Sequence, residues 1–263
     1  MSPLQLLKRA ALLALVSSCG SCGSAADGAS PDAAVVDGGA TTADAPATGE
    51  FSFFVTSLET MRTQSGNQDG FGGDLGGLSG ADQICQRAAA EVGFGHRTWR
   101  AFLSVTNGPD GGPVNAIDRV GAGPWFDRNR RLVATGREGL LGIRPDGDER
   151  TINDLPDEHG VPLSILGDAH DILTGSDGLG RLASTGPVST CSDWTSAVGE
   201  GSEGKVMCGH SFPRAGKVGY DWISDHPVPG CAPGINLIQN GPGQGNCVGC
   251  GGGYGGIYCF AVD

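Results

Sequence analysis

The most regular pattern of hydrophobic and polar positions lies in the segment from Ser79 to Ser104. Small or apolar residues recur there at helical spacing, at Ala81, Ile84, Cys85, Ala88, Ala89 and Val92. Ser79 followed by Asp82 is a capping-box-like start, and Gly93 is typical of a helix end. Beyond that glycine, apolar residues alternate at Trp99, Ala101 and Leu103. The pattern predicts a helix followed by a mostly buried strand, with Cys85 facing the core from the helix.

Shorter signals along the rest of the chain predict strands and turns. Strand-like runs occur at 51–56, at 125–134 around a polar break, at 172–175 and at 256–262, and a helical turn is predicted at 114–120. Residues 64–77 form a glycine-rich loop, and Asp146-Gly147 is a typical hairpin turn. One good helix among many short strands and long loops predicts an α+β domain.

The composition favours one globular domain held together by covalent links. The chain has 263 residues, including 47 glycines and 15 prolines but only 6% aromatic residues, which indicates many turns and a modest core. Nine cysteines indicate disulfides formed in an oxidising compartment. The net charge of −12 argues against nucleic acid as a partner, because binding it requires a basic face. The compact basic cluster of Arg128, Arg130 and Arg131 is interpreted as a solvated strand or loop edge rather than a heparin-like site.

Residues 1–18 have the features of an export signal. Two basic residues precede the short apolar run 10–16, which is too short to span a bilayer and is followed by small residues. The segment 16–19, VSSC, resembles the lipobox of bacterial lipoprotein signals. That resemblance implies cleavage before Cys19 and attachment of lipid to Cys19. The alternative is an ordinary signal that is cleaved nearby.

The next segment, residues 19–50, is predicted to be a disordered tether. It consists mostly of Ala, Gly, Asp, Ser, Thr and Pro, and so few large apolar residues cannot offset the entropy lost on folding. The folded domain is therefore expected to span residues 51–263. Signal, tether and cysteines together predict an exported, lipid-anchored protein of the bacterial cell envelope, at the outer membrane or cell surface.

Several segments of this domain occur in the order found in endostatin-type domains, which are C-type-lectin-like. They are Ser79–Cys85, Thr98–Ser104, Thr174–Leu182, Cys191–Trp194 and Tyr258–Phe260. Together with FVTS at 54–57 and LGGL at 75–78, the outline also resembles a domain of unassigned function carried by bacterial surface lipoproteins. The resemblance covers roughly residues 51–263 and implies a C-type-lectin-like, endostatin-like fold with one main helix, short mixed strands and long disulfide-linked loops.

The family pattern also implies nested disulfides. It pairs Cys85 on the helix with Cys259 on the last strand, and Cys191 with a cysteine shortly before that strand, either Cys247 or Cys250. Cys208 and Cys231 make a plausible third pair. One cysteine of the domain then remains, and Cys22 in the tether is its possible partner.

The calcium-dependent sugar site of C-type lectins has no counterpart in the sequence. That site needs an acid or amide on each side of a proline and a Trp-Asn-Asp-like triplet, whereas this chain has Trp194-Thr195-Ser196 and Trp222-Ile223-Ser224. An acidic group does occur at Asp146, Asp148, Glu149, Asp154, Asp157 and Glu158, but its spacing matches no calcium loop. We interpret it as a solvated hairpin and loop, and we expect any binding to be independent of calcium.

Other candidate chemistry has a structural explanation. Cys247-Val248-Gly249-Cys250 is a C-x-x-C motif, which is found in redox pairs and zinc sites, but without a second such motif a structural disulfide is favoured. The glycines at 251, 253 and 256 satisfy G-x-G-x-x-G but precede a strand, so they predict a flexible turn. The histidines at 96, 159, 170, 210 and 226 have no recognised metal spacing. We therefore assign no metal ligand, no cofactor and no catalytic residue.

The leading hypothesis is a non-catalytic binding or adhesion module whose ligand is an extracellular protein or glycan. Contacts are expected in the long loops between about Cys191 and Cys250, with exposed candidates at Trp194, His210, Tyr220, Trp222 and Asp225. Each of them has core or loop packing as its alternative, and packing is the better interpretation of Trp194. The rival class is an enzyme resembling formylglycine-generating oxidases, with Cys247 or Cys250 as its working thiol. A third alternative is a purely structural envelope protein.

Overall fold

The computed structural model describes residues 49–184, 189–199, 206–213, 220–238 and 245–263, which belong to one compact unit. The strands are β1 (Phe53–Val55), β2 (Trp99–Ala101), β3 (Trp125–Phe126), β4 (Leu132–Ala134), β5 (Asp171–Leu173), β6 (Met207–His210), β7 (His226–Pro227) and β8 (Gly253–Ala261). The α-helices are α1 (Leu58–Ser65), α2 (Gly77–Glu91), α3 (Glu149–Ile152) and α4 (Cys191–Trp194), and short 3-10 turns occur at Ala116–Arg119, Glu138–Leu140 and Leu163–Leu166. The predicted α+β class is confirmed. Among the described residues, every helix is too short or too polar to cross a bilayer.

Strand β8 is the centre of the main sheet. It pairs antiparallel with β1 and β2 and parallel with β5, and the sheet continues antiparallel through β6 to β7. All nine residues of β8 are buried, because both of its edges and both of its faces are covered. The predicted pair of strands between 125 and 134 is present as β3 and β4, which form a separate hairpin with an irregular register.

Helix α2 has the predicted buried face but not the predicted cap. Its buried residues are Ala81, Ile84, Cys85, Ala88 and Ala89. The helix begins earlier than Ser79, and the residue before it, Gly76, makes no side-chain capping hydrogen bond. Asp82 instead accepts a hydrogen bond from the Ala101 N–H at 2.9 Å and forms a 2.7 Å ion pair with Arg119. The carboxylate expected to cap the helix therefore joins it to β2.

Helix α1 has no counterpart in the sequence prediction, because it is mostly polar and buries only Thr60 and Met61. Tertiary contacts hold it in place. The Ser57 hydroxyl caps the helix by accepting from the Thr60 N–H at 3.1 Å. Glu158, fully buried, accepts from the Ser57 N–H at 2.8 Å, the Ser57 hydroxyl at 2.6 Å and the Thr60 hydroxyl at 2.5 Å. A carboxylate that we expected to be solvated is thus part of the core.

The rest of the acidic segment also differs from the predicted hairpin. Asp146 accepts from the Thr135 N–H at 2.8 Å and its hydroxyl at 2.5 Å, and the chain then enters α3 rather than a second strand. Asp148 caps α3, Asp154 accepts from Ser164, and Asp157 is buried. Burial raises the pKa of the Asp157 carboxyl. These carboxylates are occupied in local hydrogen bonds instead of forming one open acidic surface.

The described disulfides correct two of the expected pairings. Cys85 is joined to Cys259 with a Cα separation of 5.5 Å, which links α2 to β8. The other two bonds join Cys191 to Cys231 and Cys247 to Cys250, with Cα separations of 5.7 and 5.1 Å. The expected bonds from Cys191 to Cys247 or Cys250, and from Cys208 to Cys231, are wrong.

The physical reason for these corrections lies in the local geometry. Cys247 and Cys250 meet within one tight turn, so neither is available to Cys191. Cys208 is a buried free thiol on β6, and its Sγ lies 3.0 Å from the His226 carbonyl oxygen and 3.6 Å from Asp171 Oδ1. The predicted lipidation residue Cys19, the tether cysteine Cys22 and the signal peptide lie outside the described residues.

Helix α4 is a left-handed turn. Its four residues, Cys191, Ser192, Asp193 and Trp194, have φ values of 48°, 54°, 58° and 66°. For residues with a Cβ this conformation costs roughly 1–2 kcal/mol each, so other contacts must hold it. The Asp193 carboxylate accepts from the Thr106 N–H and hydroxyl, both at 2.6 Å, and from the Asn107 N–H at 3.0 Å. These bonds outweigh burial and hold the pKa of Asp193 below its ordinary value.

Replacing Asp193 by alanine is expected to lower the free energy of unfolding by roughly 2–3 kcal/mol, the range for hydrogen bonds to a charged group. The variant leaves the Thr106 and Asn107 donors without their acceptor while the left-handed turn keeps its steric cost. Urea unfolding measures the change, with Asp110→Ala in an exposed loop as the matched control. Equal midpoints for the two variants would contradict this account of the turn.

Candidate metal centre

Strands β5, β6 and β7, at one end of the main sheet, bring four potential metal ligands together. Asp171 opens β5 directly after His170, and antiparallel pairing places Asp171 opposite His210 on β6. The next pairing places His226 on β7 opposite Cys208, close to the same point. One ligand atom from each of His170, Asp171, His210 and His226 lies within 4.8 Å of all the others.

The distances between these atoms suit a small coordination sphere. Asp171 Oδ1 lies 2.9 Å from His170 Nε2, 3.1 Å from His226 Nε2 and 4.0 Å from His210 Nε2. The Nε2 atoms of His210 and His226 are 3.1 Å apart. Zinc bonds of about 2.0–2.1 Å would place tetrahedral ligand atoms roughly 3.3 Å apart. Three of the four distances are close to that spacing, and the longer separations, up to 4.8 Å within the group, require a small shift of the side chains around an ion.

Burial makes this arrangement costly unless a ligand satisfies it. The side chains of His170 and Asp171 are 0% exposed, whereas that of His226 is 35% exposed. Among the described residues, neither His170 Nε2 nor Asp171 Oδ2 has a partner in hydrogen-bond geometry, although His170 Nε2 is close to the other Asp171 oxygen. Buried polar atoms are nearly always paired. A cation at the centre would satisfy the His170 nitrogen, and the half-exposed His226 marks the side open to solvent.

Contacts behind the ligands orient the imidazoles of His170 and His226 toward the centre. Asp168 Oδ1 lies 2.7 Å from His170 Nδ1, and the Pro227 carbonyl oxygen lies 3.3 Å from His226 Nδ1. Each contact favours a proton on Nδ1 and leaves the Nε2 lone pair available to a metal ion. A carboxylate behind a ligating histidine is a common arrangement in zinc sites. These contacts therefore orient two of the three imidazoles, those of His170 and His226, for binding through Nε2.

The carboxylate of Asp171 and the neighbouring imidazoles change each other's pKa values. Burial raises the pKa of Asp171, but the imidazoles of His170 and His226 outweigh that effect and hold the pKa below its ordinary value. The contact with Asp171 raises the pKa of His226 by more than burial lowers it. A positive charge beside Asp171 is therefore favourable, whether a proton or a metal ion supplies it. Burial also raises the pKa of the Cys208 thiol well above its ordinary value, which keeps that thiol protonated.

Glycines after the C-x-x-C motif allow the chain to cross close behind the ligands. A Cβ at Gly251 would lie 2.5 Å from Asp171 Oδ2. A Cβ at Gly252 would overlap His170 Cε1 and lie 2.8 Å from Asp168 Oδ2, and Gly252 has a φ of 136°. No residue with a side chain fits at Gly251 or Gly252 without displacing a ligand. Of the formal G-x-G-x-x-G match, only Gly251 has this role; Gly253 and Gly256 lie within β8 rather than in the predicted flexible turn before a strand.

Arg144 supports the site through the backbone at His210. Its guanidinium donates to the carbonyl oxygens of His210 at 2.6 Å, Ser211 at 2.8 Å and Ile152 at 2.6 Å. Burial lowers the pKa of this guanidinium, so its position is costly and is compensated by these bonds. Arg144 fixes the backbone of the β6 end that carries His210.

The five predicted contact residues differ in exposure: two are partly exposed and three are buried. His210 belongs to the cluster but is buried; Tyr220 stacks on its ring with centroids 4.3 Å apart and planes 3° apart. Asp225 Oδ2 lies 3.3 Å from His210 Nε2, at the open side. Trp194 and Trp222 are fully buried and donate to the carbonyl oxygens of Ser104 and Leu140. Packing, the better interpretation of Trp194 from the sequence, is confirmed, and Trp222 is likewise packed in the core rather than an exposed contact residue.

Sequence reasoning missed His170, Asp171 and His226 as candidate ligands. The rule it applied looks for histidines at helical or short-loop spacing, whereas these ligands come from three strands whose register is set by tertiary pairing. One local signal was available, since Asp168, His170 and Asp171 occur directly before the strand predicted at 172–175. No protein-family model and no curated protein sequence matches the chain.

Proposed function

We propose that the chain is a metal-binding module in which His170, Asp171, His210 and His226 hold one first-row transition metal ion, with zinc as the best fit. The observation that carries this proposal is the convergence of three imidazole nitrogens and one carboxylate oxygen at coordination spacing. Three nitrogens and one oxygen suit zinc, whereas calcium takes six to eight oxygen ligands. Binding by the module is still expected to be independent of calcium. The expectation that the chain has no metal ligand is given up.

The proposed role is to hold the ion rather than to catalyse a reaction. Four protein ligands fill a tetrahedral zinc shell, whereas catalytic zinc sites typically keep one position for water or substrate. The cysteine-based oxidase is a weaker candidate, because Cys247 and Cys250 are joined to each other and the Cys208 thiol is buried. An extracellular protein or glycan remains the proposed partner of the surface beside Tyr220 and Asp225, which are both partly exposed.

We also propose where the protein lies in the cell and which α+β fold it has. We propose that lipid on Cys19 and the tether 19–50 hold the domain at the bacterial envelope, as the VSSC segment and the disulfides of an oxidising compartment favour. The C-type-lectin-like, endostatin-like fold is supported by the Cys85–Cys259 bond between helix and last strand and by the pairing of β1 with β8. Fold alone assigns no ligand, so the metal centre is the functional argument.

Metal content tests this function directly. The full chain, stripped with a chelator and dialysed against buffered zinc, is expected to retain one zinc ion per chain, measured by elemental mass spectrometry. Cobalt(II) in the same protein should give the intense visible absorption of tetrahedral rather than octahedral coordination, because the donor spacing fits four ligands. A chain that takes up neither ion at micromolar free metal would disprove the proposed function.

A further inference from the structure

We infer that the metal centre is coupled to the Cys247–Cys250 disulfide, so that the ion is held tightly while this bond is intact and is released when thiols reduce it. The inference rests on the proposed metal-binding function and adds a condition for release. In this inference the C-x-x-C motif controls metal release in addition to cross-linking the chain. The ligand class is a transition metal ion, and the reductant class is a low-molecular-weight thiol.

The first step is the position of the disulfide relative to the ligands. Gly251 and Gly252 follow Cys250 directly, and these two residues approach Asp171 and His170 more closely than any side chain would allow. The bond between Cys247 and Cys250 closes the turn from which this pair extends. Opening the bond frees the turn immediately next to the metal ligands.

Backbone hydrogen bonds transmit the position of the turn to the ligands. The Asp171 N–H donates to the Gly252 carbonyl oxygen at 3.0 Å, and the Gly252 N–H donates to the Gly249 carbonyl oxygen at 3.1 Å within the disulfide loop. A continuous path of one covalent turn and two hydrogen bonds therefore runs from the sulfur atoms to the ligand Asp171. Because Asp171 Oδ1 contacts two of the imidazoles, a shift of its backbone changes several donor distances at once.

Among the three described disulfides, this one is the most readily reduced. Its sequence separation is 3, against 40 for Cys191–Cys231 and 174 for Cys85–Cys259, and in the chain-entropy model the shortest loop contributes the least stability. Cys247 is 7% exposed, and the cysteines of the two longer bonds are fully buried. Both the weaker constraint and the better access favour attack at Cys247.

The redox step balances as an ordinary thiol–disulfide exchange. A thiolate attacks the Cys247 sulfur, the bond to Cys250 breaks, and the Cys250 thiolate leaves and takes up a proton. A second thiol then attacks the mixed disulfide, releases Cys247 as a thiol and forms the small-molecule disulfide. The protein gains two electrons and two protons, and two thiols are oxidised.

Coupling of this kind is reciprocal, which supplies two independent measurements. Changes to groups that support metal ligands typically weaken metal affinity by roughly 10–100-fold, and we expect that range on reduction. Linkage requires the metal to resist reduction of the disulfide by the same factor. At about 30 mV per tenfold change, bound zinc should lower the reduction potential of Cys247–Cys250 by about 30–60 mV.

The test compares zinc affinity of the full chain with that of the double variant Cys247→Ser/Cys250→Ser, using a fluorescent chelator in competition. The variant should bind zinc roughly 10–100-fold more weakly. Cys191→Ser/Cys231→Ser, which removes a different disulfide and leaves Cys247–Cys250 intact, is the control; measured under conditions where tryptophan fluorescence shows that it is folded, it should retain the affinity. Serine at both positions also prevents the freed thiols from binding zinc themselves.

The second measurement needs no variant and covers the case in which the double variant does not fold. Wild-type protein is equilibrated in glutathione buffers with and without zinc, and alkylation mapped by mass spectrometry gives the reduced fraction of Cys247. A potential unchanged by zinc, in protein that binds zinc, would overturn the coupling and leave the proposed function standing. Absence of zinc binding in the wild type would instead disprove the proposed function itself.

Discussion

Replacing Cys85 and Cys259 together by alanine is expected to lower the free energy of unfolding by about 5 kcal/mol, the value that chain entropy assigns to a loop of this length. The two residues are separated by 174 positions, the longest of the three described disulfide loops. The bond also ties α2 to β8, on which three other strands pair. A loss of this size is comparable to the entire stability of many domains, so the variant should be largely unfolded at 37 °C.

Chemical denaturation followed by tryptophan fluorescence measures this change, because all four tryptophans of the chain are fully buried or nearly so. The Cys191→Ala/Cys231→Ala variant is the comparison, and its shorter loop predicts a loss of about 4 kcal/mol in the free energy of unfolding. A smaller loss from the Cys85–Cys259 pair than from the Cys191–Cys231 pair would show that loop entropy does not govern the stability of this domain.

Replacing His226 by alanine is expected to weaken zinc binding more than 100-fold, since even loss of an outer-shell partner costs roughly 10–100-fold. His226 is the most informative ligand to remove because its side chain is 35% exposed, so the substitution leaves little cavity in the core. The other two histidines and Asp171 are buried and support the packing as well as the site. Isothermal titration or chelator competition gives the affinity directly.

Thermal unfolding provides a second readout of the same variant. Zinc at 100 times its dissociation constant should stabilise the wild type by about 2.7 kcal/mol and should leave His226→Ala almost unaffected at that concentration. His96→Ala is the matched control, because His96 is an exposed histidine whose described partner is Glu50. Equal zinc stabilisation of the wild type and His226→Ala would exclude His226 as a ligand and require a different site.

The sequence predicted those elements whose pattern is local and strong. Helix α2 buries five of the six predicted positions because their spacing alone decides which face is apolar, and the sixth, Val92, follows the helix end and is partly buried. Strand β8 was found from its apolar run, although its start at Gly253 was missed because glycine carries no hydrophobic signal. Helix α1 was missed because the Ser57 cap and buried Glu158, 101 residues further along the chain, hold it rather than an apolar face.

The candidate metal site could not be predicted from the sequence for a different reason. A register between strands determines which residues face one another, and nothing local in β6 or β7 reveals that Asp171 will lie opposite His210. Disulfide pairing has the same difficulty, because the domain has seven cysteines, even six allow 15 complete pairings, and spacing alone does not choose among them. The resemblance to endostatin-type domains implied the bond between Cys85 and Cys259 but assigned Cys191 wrongly.

The nested arrangement of the disulfides has a consequence for how the protein is made. A chain that emerges from its amino end presents Cys85 first among the domain cysteines, while its partner Cys259 is the last. Five other cysteines emerge in between, so oxidation in order of appearance would trap Cys85 with the wrong partner. Production of the native protein therefore depends on exchange of early disulfides, and a host with an active disulfide isomerase should give a higher yield than one that only oxidises thiols.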